Sequence, residues 1–193
     1  MYKIGITGGI GAGKSLVSEI FKVLGIPVYN ADLRAQSLMN TSVSLKDKII
    51  ELLGPESYSD DHLNRVWIAD LVFKDRWLLN RLNGLVHPEV EVDYNAWHES
   101  QTGAPYTLKE AALLFDAGSF LRLDAVVVVH AAEEVRMERV MKRDHRSATQ
   151  IKDRIKQQWP EDRRLLLADY LIENNGDKPL IHQVLNIHRQ LIQ

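Results

Sequence analysis

The sequence predicts an α/β fold in which helices flank a five-stranded parallel sheet, with a helical insertion and a lid added to that core. At the start of the chain, a strand over 3–7 leads through a glycine-rich loop into a helix over 14–24 and a second strand over 26–29. Further on, the β-branched run over 125–129 is typical of a strand buried on both faces of a parallel sheet. Between them, residues 33–104 carry helical patterns and no clear strand, which indicates an insertion.

The remaining elements follow from apolar runs and chain breakers. Strands are predicted over 111–115 and 170–172, and a closing amphipathic helix over 178–192. His87-Pro88 is predicted to end a helix of the insertion, because the residue before a proline is biased away from helical backbone. The predicted organisation is a core of 1–32, 105–142 and 166–193, an insertion of 33–104 and a lid of 143–165.

The composition is that of a globular protein and does not indicate nucleic-acid binding. The 193 residues include 24 lysines and arginines against 26 aspartates and glutamates, so the net charge is −2. The sequence contains no cysteine, which excludes disulfides, thiolate zinc sites and a cysteine nucleophile. No run approaches the roughly 20 apolar residues that a membrane helix needs. We therefore expect a cytoplasmic protein without a membrane segment.

Residues 8–15, Gly-Gly-Ile-Gly-Ala-Gly-Lys-Ser, match the phosphate-binding pattern G-x-x-x-x-G-K-[ST] in full. Glycines allow successive backbone N–H groups to turn inward around phosphate oxygens, and the following helix adds free N–H groups and the positive end of its dipole. We expect Lys14 to place its charge on the β- and γ-phosphates and the Ser15 hydroxyl to ligate Mg²⁺. The pattern predicts a nucleoside triphosphate site but does not specify the reaction.

Two carboxylates follow predicted strands, and each has two interpretations. Asp32 comes just after the second strand, where it can accept the proton of an attacking hydroxyl or can cap the next helix. Asp116 ends the predicted strand over 111–115, where it resembles an acid that holds Mg²⁺ through water or belongs to a solvated turn. Position along the chain leaves all four interpretations open.

Basic residues cluster after the run over 125–129. Arginines that close over a transferred phosphoryl group stabilise its charge without exchanging protons, so the cluster indicates a mobile lid. The alternative is a solvated helical face whose charges pair with acids four residues away. The cluster consists of Arg139, Lys142, Arg143, Arg146, Arg154, Lys156, Arg163 and Arg164.

Taken in order, these motifs make the sequence similar to the dephospho-coenzyme A kinase family. The phosphate loop, with Thr7 before it, resembles that family's variant, and Asn30-Ala31-Asp32 resembles its Asp-Ala-Asp. The similarity continues in the same order to the end of the chain. The further matching segments are Leu71-Val72-Phe73, residues 85–90, Leu113-Leu114-Phe115-Asp116, Arg143-Asp144, Arg154, Gln158 and residues 168–176.

The resemblance implies a P-loop fold of the nucleoside-monophosphate-kinase type. It also implies transfer of the γ-phosphate of ATP, with Mg²⁺, to the ribose 3′-hydroxyl of dephospho-CoA. The implied catalytic residues are Asp32 as the base, Lys14 and Arg143. The implied nucleotide-binding residues are Gly8, Gly9, Gly11, Ala12, Gly13, Lys14, Ser15, Leu16 and, near the adenine, Asn175. The implied metal residues are Ser15 and, through water, Asp116.

The sequence departs from the family pattern at three positions. Asn30 replaces an aspartate, Asp116 stands where glutamate is commoner, and Leu16 stands where threonine is frequent. None of these changes removes a group that the chemistry requires. Three other functions stay open: a kinase for a nucleoside monophosphate or sugar, a hydrolytic nucleotide switch, and a binding module without catalysis. The insertion and Asp32 argue against the switch.

Overall fold

The computed structural model describes residues 1–72, 74–145 and 147–193, without the side chain of Gln157. Phe73 and Arg146, which the sequence motifs include, lie outside the described residues. The chain forms two compact units, residues 1–30 with 101–193 and residues 31–100. The boundaries of the insertion and lid given above stay predictions.

Helices and strands alternate in the first unit, whereas the second unit is mostly helical. In chain order they are β1 (Tyr2–Gly8), α1 (Lys14–Val23), β2 (Val28–Asn30), α2 (Ala31–Thr41), α3 (Val43–Leu53), β3 (Tyr58–Ser59), β4 (His62–Leu63), α4 (Arg65–Val72), α5 (Arg76–Ser100), β5 (Tyr106–Glu110), β6 (Ala125–His130), α6 (Glu133–Asp144), α7 (Ala148–Gln157), α8 (Glu161–Leu166), β7 (Tyr170–Glu173) and α9 (Leu180–Leu191).

The first unit is built on a parallel sheet. Its described residues form five strands in the order β2-β5-β1-β6-β7, which confirms the predicted fold class. β1 pairs with β5 on one side, where Ile6 lies opposite Glu110, and with β6 on the other, where Thr7 lies opposite Val128. The strand order changes direction around β1, so the carboxyl end of β1 lies at the switch point where open α/β sheets bind their ligands.

Apolar side chains of β1 and β6 form the core of this unit with helices α1 and α9. Ile6, Val127 and Val129 on the sheet and Phe21 on α1 are buried in one cluster. Burial of one such side chain contributes roughly 1.5–3 kcal/mol relative to exposure. The core therefore fixes both elements that flank the glycine-rich loop.

The second unit contains a short hairpin, so the expectation of no strand in the insertion is wrong. β3 and β4 pair antiparallel across a two-residue turn at Asp60 and Asp61, whose φ angles are 50° and 64°. Aspartate tolerates this left-handed backbone because its short polar side chain can hydrogen-bond locally. The two strands are too short to show a period-2 pattern.

The predicted end of a helix at His87-Pro88 is also wrong. α5 continues through Pro88 over 25 residues. Leu82, Val86 and Val90 recur every four residues along α5 and are buried. This apolar stripe packs the helix on both sides of the proline and outweighs the backbone hydrogen bond that proline cannot make.

Candidate active site

The glycine-rich loop lies between β1 and α1, as the sequence predicts. Gly13 precedes α1 with a φ of 94°, and no side chain caps this end of the helix. Any other residue at position 13 would be strained at this φ, and its Cβ would lie 2.3 Å from Nδ2 of Asn174. Glycine here leaves the first N–H groups of α1 directed at the loop, which is the arrangement that binds phosphate.

Asn174 directly follows β7 and hydrogen-bonds to the glycine-rich loop. Its Nδ2 donates to the carbonyl oxygen of Ala12 at 2.8 Å, and the residue is buried. A buried hydrogen bond of this kind contributes about 1 kcal/mol. The family resemblance pointed to the neighbouring Asn175 instead, whose Oδ1 accepts from the N–H of Ala132 at 2.8 Å. A position of Asn175 near the adenine stays a prediction.

Lys14 and Ser15 occupy the first turn of α1. Lys14 Nζ donates to the carbonyl oxygen of Gly8 at 3.2 Å, which places the ammonium group beside the first residue of the glycine-rich loop. Ser15 Oγ donates to Oε1 of Glu110 at 2.7 Å. The cation and the hydroxyl that the pattern assigns to phosphate and Mg²⁺ therefore start the same helix, next to a carboxylate.

Glu110 is the acid that the sequence analysis missed. It is the last residue of β5 and is 6% exposed. Its Oε2 accepts from Asn30 Nδ2 at 3.3 Å, while Oε1 accepts from Ser15. β5 lies between β1 and β2, so its carboxyl end brings Glu110 beside both. Glu110 could have been found as the acid that ends the alternating run Tyr-Thr-Leu-Lys. However, the two charged residues at the end of this run are typical of a solvated segment, whereas the whole strand is buried.

The predicted strand over 111–115 is wrong, because β5 ends at Glu110 and residues 112–118 form turns. Leu114 and Phe115 are nevertheless buried. A short apolar run buried in a turn has the same composition as a buried strand, and periodicity cannot separate the two.

Asp116 therefore lies in a turn and not at the end of a strand. Its Oδ1 accepts from the backbone N–H of Trp159 at 3.2 Å. Burial, the largest effect, raises the pKa of Asp116, while the backbone hydrogen bonds and the charge of Arg164 oppose that rise. The predicted role of Asp116 at the metal has lost its basis in a strand end.

Aromatic side chains surround Trp159, whose backbone N–H donates to Asp116. The Trp159 ring stacks on Phe115 with centroids 5.9 Å apart and meets Phe120 edge-on at 6.3 Å. The guanidinium carbon of Arg163 lies 3.9 Å from the Trp159 ring centroid. Asp116 thus helps to anchor the connection between α7 and α8.

Asp32 is the second residue of α2 and is exposed. Since α2 begins at Ala31, Asp32 lies inside the helix and does not occupy the capping position before it. A carboxylate in the first turn interacts favourably with the positive end of the helix dipole. The role of Asp32 as a base stays a prediction.

The arginines of the basic cluster that follows β6 have different surroundings. Arg143, in the last turn of α6, donates to both carboxylate oxygens of Asp144 at 2.6 and 3.0 Å, and the hydrogen bond raises the pKa of Arg143. Arg139 has a buried Nη1 without a partner among the described residues, and Arg164 on α8 is 5% exposed. A contact between Arg143 and the phosphates stays a prediction.

Two groups near the glycine-rich loop have the chemistry of Mg²⁺ ligands. Within residues 1–72, 74–145 and 147–193, no three or more histidine, aspartate, glutamate or cysteine side chains group as a metal site. Mg²⁺ usually takes one or two carboxylates together with water and substrate phosphates, so Glu110 and the Ser15 hydroxyl fit this ion.

None of the described helices has the length and apolar character to cross a membrane.

Comparison with protein families matches residues 2–179 to the dephospho-CoA kinase family. A dephospho-CoA kinase of Bacteroides fragilis (strain YCH46) is 35% identical over 191 residues, which cover 99% of this chain and 93% of the relative. A dephospho-CoA kinase of Porphyromonas gingivalis is 38% identical over 188 residues, covering 97% of this chain and 93% of the relative.

Solved structures share the fold over the full length. A crystal structure from Thermus thermophilus has a TM-score of 0.87 and 32% identity, covering 100% of this chain and 98% of that one. A dephospho-CoA kinase from Campylobacter jejuni has a TM-score of 0.69 and 21% identity, with 98% and 96% coverage. A shikimate kinase from Acinetobacter baumannii has a TM-score of 0.51 and 18% identity, with 100% and 93% coverage. At these identities the last two likenesses show the fold alone.

Proposed function

The chain belongs to the dephospho-CoA kinase family, and from that premise we propose that it transfers the γ-phosphate of ATP to the ribose 3′-hydroxyl of dephospho-CoA. The products are coenzyme A and ADP. The complete phosphate loop between β1 and α1, with Lys14 and Ser15 in the first helical turn, carries the part of this proposal that concerns ATP. The family match over residues 2–179 carries the identity of the acceptor. A cytoplasmic location stays a prediction from the cysteine-free sequence.

In the proposed step, the ribose 3′-oxygen forms a bond to the γ-phosphorus. The bond from that phosphorus to the β–γ bridging oxygen breaks, and ADP leaves with its electron pair. The proton of the 3′-hydroxyl passes to the carboxylate of Asp32, which the exposed position of Asp32 in α2 supports. Lys14 offsets charge on the β- and γ-phosphates, and Arg143 stabilises the transferred group.

We further propose that Ser15 and Glu110 would hold Mg²⁺. The hydrogen bond between the two residues and the amide of Asn30 supports this assignment, because it fixes the carboxylate beside the loop. When bound, Mg²⁺ neutralises charge that develops on the β- and γ-phosphate oxygens. Glu110 takes the role that the sequence gave to Asp116.

A coupled assay of ADP release tests the proposed reaction. ATP and Mg²⁺ are supplied with dephospho-CoA, pantetheine phosphate, a nucleoside monophosphate, gluconate, or no acceptor. We expect ADP to form with dephospho-CoA and not with the other mixtures. Equal release with a nucleoside monophosphate or gluconate would identify a different kinase of this fold, and equal release without an acceptor would identify a hydrolase.

A further inference from the structure

Arg136 is a buried arginine with no part in the mechanism above. It lies on α6 and is 1% exposed. Its Nε donates to the carbonyl oxygen of Ala131 at 2.9 Å, and its Nη2 donates to Oε2 of Glu161 at 3.0 Å. Its Nη1 is buried and has no partner in the described part of the chain. A buried guanidinium donor without a partner is costly and calls for a cause.

The guanidinium of Arg136 lies directly against the phosphate loop at Gly9. A Cβ placed on Gly9 would lie 2.4 Å from Nη1 and 3.0 Å from Cζ of Arg136, and 3.3 Å from Nη2 of Arg164. Because Cβ atoms do not approach other heavy atoms this closely, the side-chain space at position 9 is taken by Arg136. The loop and Arg136 therefore constrain each other.

Positive charge on this side of the loop is only partly neutralised. Glu161 pairs with Arg136 through one oxygen and accepts from His130 Nδ1 at 2.8 Å through the other. Nε of Arg164 is buried and has no partner among the residues described. Burial lowers the pKa of Arg164 and the neighbouring charge of Arg136 lowers it further, while Glu161 and, more weakly, Asp116 oppose them. Two buried arginines with unmet donors are an arrangement that a nearby polyanion would stabilise.

We propose that Arg136 is a positioning residue for the polyphosphate of the nucleotide. It fixes the path of the loop at Gly9 and, together with Arg164, places positive charge behind the loop. This inference rests on the proposed function for the nature of the ligand, and it adds a residue to the machinery that binds it. The effect is expected on polyphosphate binding, because Arg136 lies against the loop that is proposed to bind the phosphates.

Arg136→Gln tests the proposal, since glutamine removes the charge and keeps a donor for Ala131. We expect the KM for ATP to rise about tenfold, while kcat and the KM for dephospho-CoA stay within about twofold. By calorimetry, ADP should bind about tenfold more weakly, whereas adenosine should bind as it does to the unchanged protein. Arg136→Lys, which keeps the charge, should recover most of the loss. The matched control is Lys22→Gln, an exposed cation of α1 paired with Glu19, which should change none of these values.

An unchanged affinity for ADP in folded Arg136→Gln, or an equal loss for ADP and adenosine, would overturn the proposal. Circular dichroism and the melting temperature show whether the variant folds. If it does not, Arg164→Gln removes the second charge, and unchanged ADP binding in that variant would overturn the proposal equally. Absence of turnover by the wild-type protein with every acceptor would count against the proposed function alone, because ADP binding still tests Arg136.

Discussion

Carboxylates at strand ends and the carboxylate in the following turn have different surroundings in this protein. Glu110 ends β5 and accepts from the Ser15 hydroxyl, and Asp32 comes two residues after the end of β2. Asp116, in contrast, accepts a backbone N–H from Trp159 within a set of aromatic contacts. In the proposed function Glu110 and Asp32 take part in the chemistry, whereas Asp116 stabilises the connection between α7 and α8. Substitutions at the two kinds of position should therefore change different measured quantities.

The largest effect is expected from Asp32→Asn, which removes the proposed base. General-base catalysis contributes on the order of 10²–10⁴-fold, so kcat should fall about 10³-fold while ATP still binds. The measurement is single-turnover transfer to dephospho-CoA together with ATP titration calorimetry. Asp70→Asn is the control, because Asp70 is an exposed carboxylate that pairs with Lys74. Wild-type turnover in Asp32→Asn would remove Asp32 from the mechanism.

Glu110→Gln should lower kcat by roughly 10²-fold, because the variant loses the carboxylate that is proposed to hold Mg²⁺. The Mg²⁺ concentration for half-maximal rate should rise in the same variant. Asp116→Asn is the matched comparison and should keep both quantities within about threefold of wild type. If Asp116→Asn shifts the Mg²⁺ dependence and Glu110→Gln does not, the distinction between strand end and turn is wrong.

Trp159→Ala should act on stability rather than on catalysis. It removes the contacts with Phe115, Phe120 and Arg163, and the free energy of unfolding should fall by about 2–3 kcal/mol. Urea denaturation measures this loss. The rate per folded molecule should stay within about threefold. Trp77→Ala, at a tryptophan 64% exposed, is the control for removing an indole. If Trp159→Ala lowers kcat as much as Glu110→Gln does, the contacts around Asp116 and Trp159 contribute to catalysis.

Asp116→Asn should have the smallest effect, and its sign depends on pH. Burial raises the pKa of Asp116 above 3.8, so its favourable contribution is complete below that pH and is lost as the pH rises through the folded-state pKa. Asparagine stays neutral and keeps an oxygen acceptor for the Trp159 N–H. The variant should therefore melt slightly higher than wild type near neutral pH, and this difference should shrink toward pH 4. A variant that is less stable near neutral pH would contradict the assigned cause of the shift.

The parallel sheet and the position of the phosphate loop could be predicted because local chemistry favours both. The valine run over 125–129 and the glycines before Lys14 each favour one local structure. Glu110 could not be found in this way, because β5 reads Tyr-Thr-Leu-Lys-Glu and is buried through its place in the sheet. The more apolar Leu114 and Phe115 are buried by tertiary packing of a turn.

Two further features depend on contacts between distant parts of the chain. Pro88 favours the end of a helix, but the buried stripe on either side of it carries α5 onward. Gly9 fits the pattern of a flexible loop, and only the structure shows that Arg136, distant in sequence, occupies the space beside it. Tertiary packing determines both features. The identities of Pro88 and Gly9 and of their sequence neighbours do not reveal these distant contacts.

The destination of the phosphoryl group is the most direct test of the account, and phosphorus-31 NMR of the products measures it. ATP, Mg²⁺ and dephospho-CoA are incubated with the wild-type protein and, in parallel, with Lys14→Ala. We expect one new phosphomonoester resonance coupled to the ribose 3′-proton, formed in step with ADP and absent with Lys14→Ala. Inorganic phosphate without a new ester, or an ester at another hydroxyl, would contradict it.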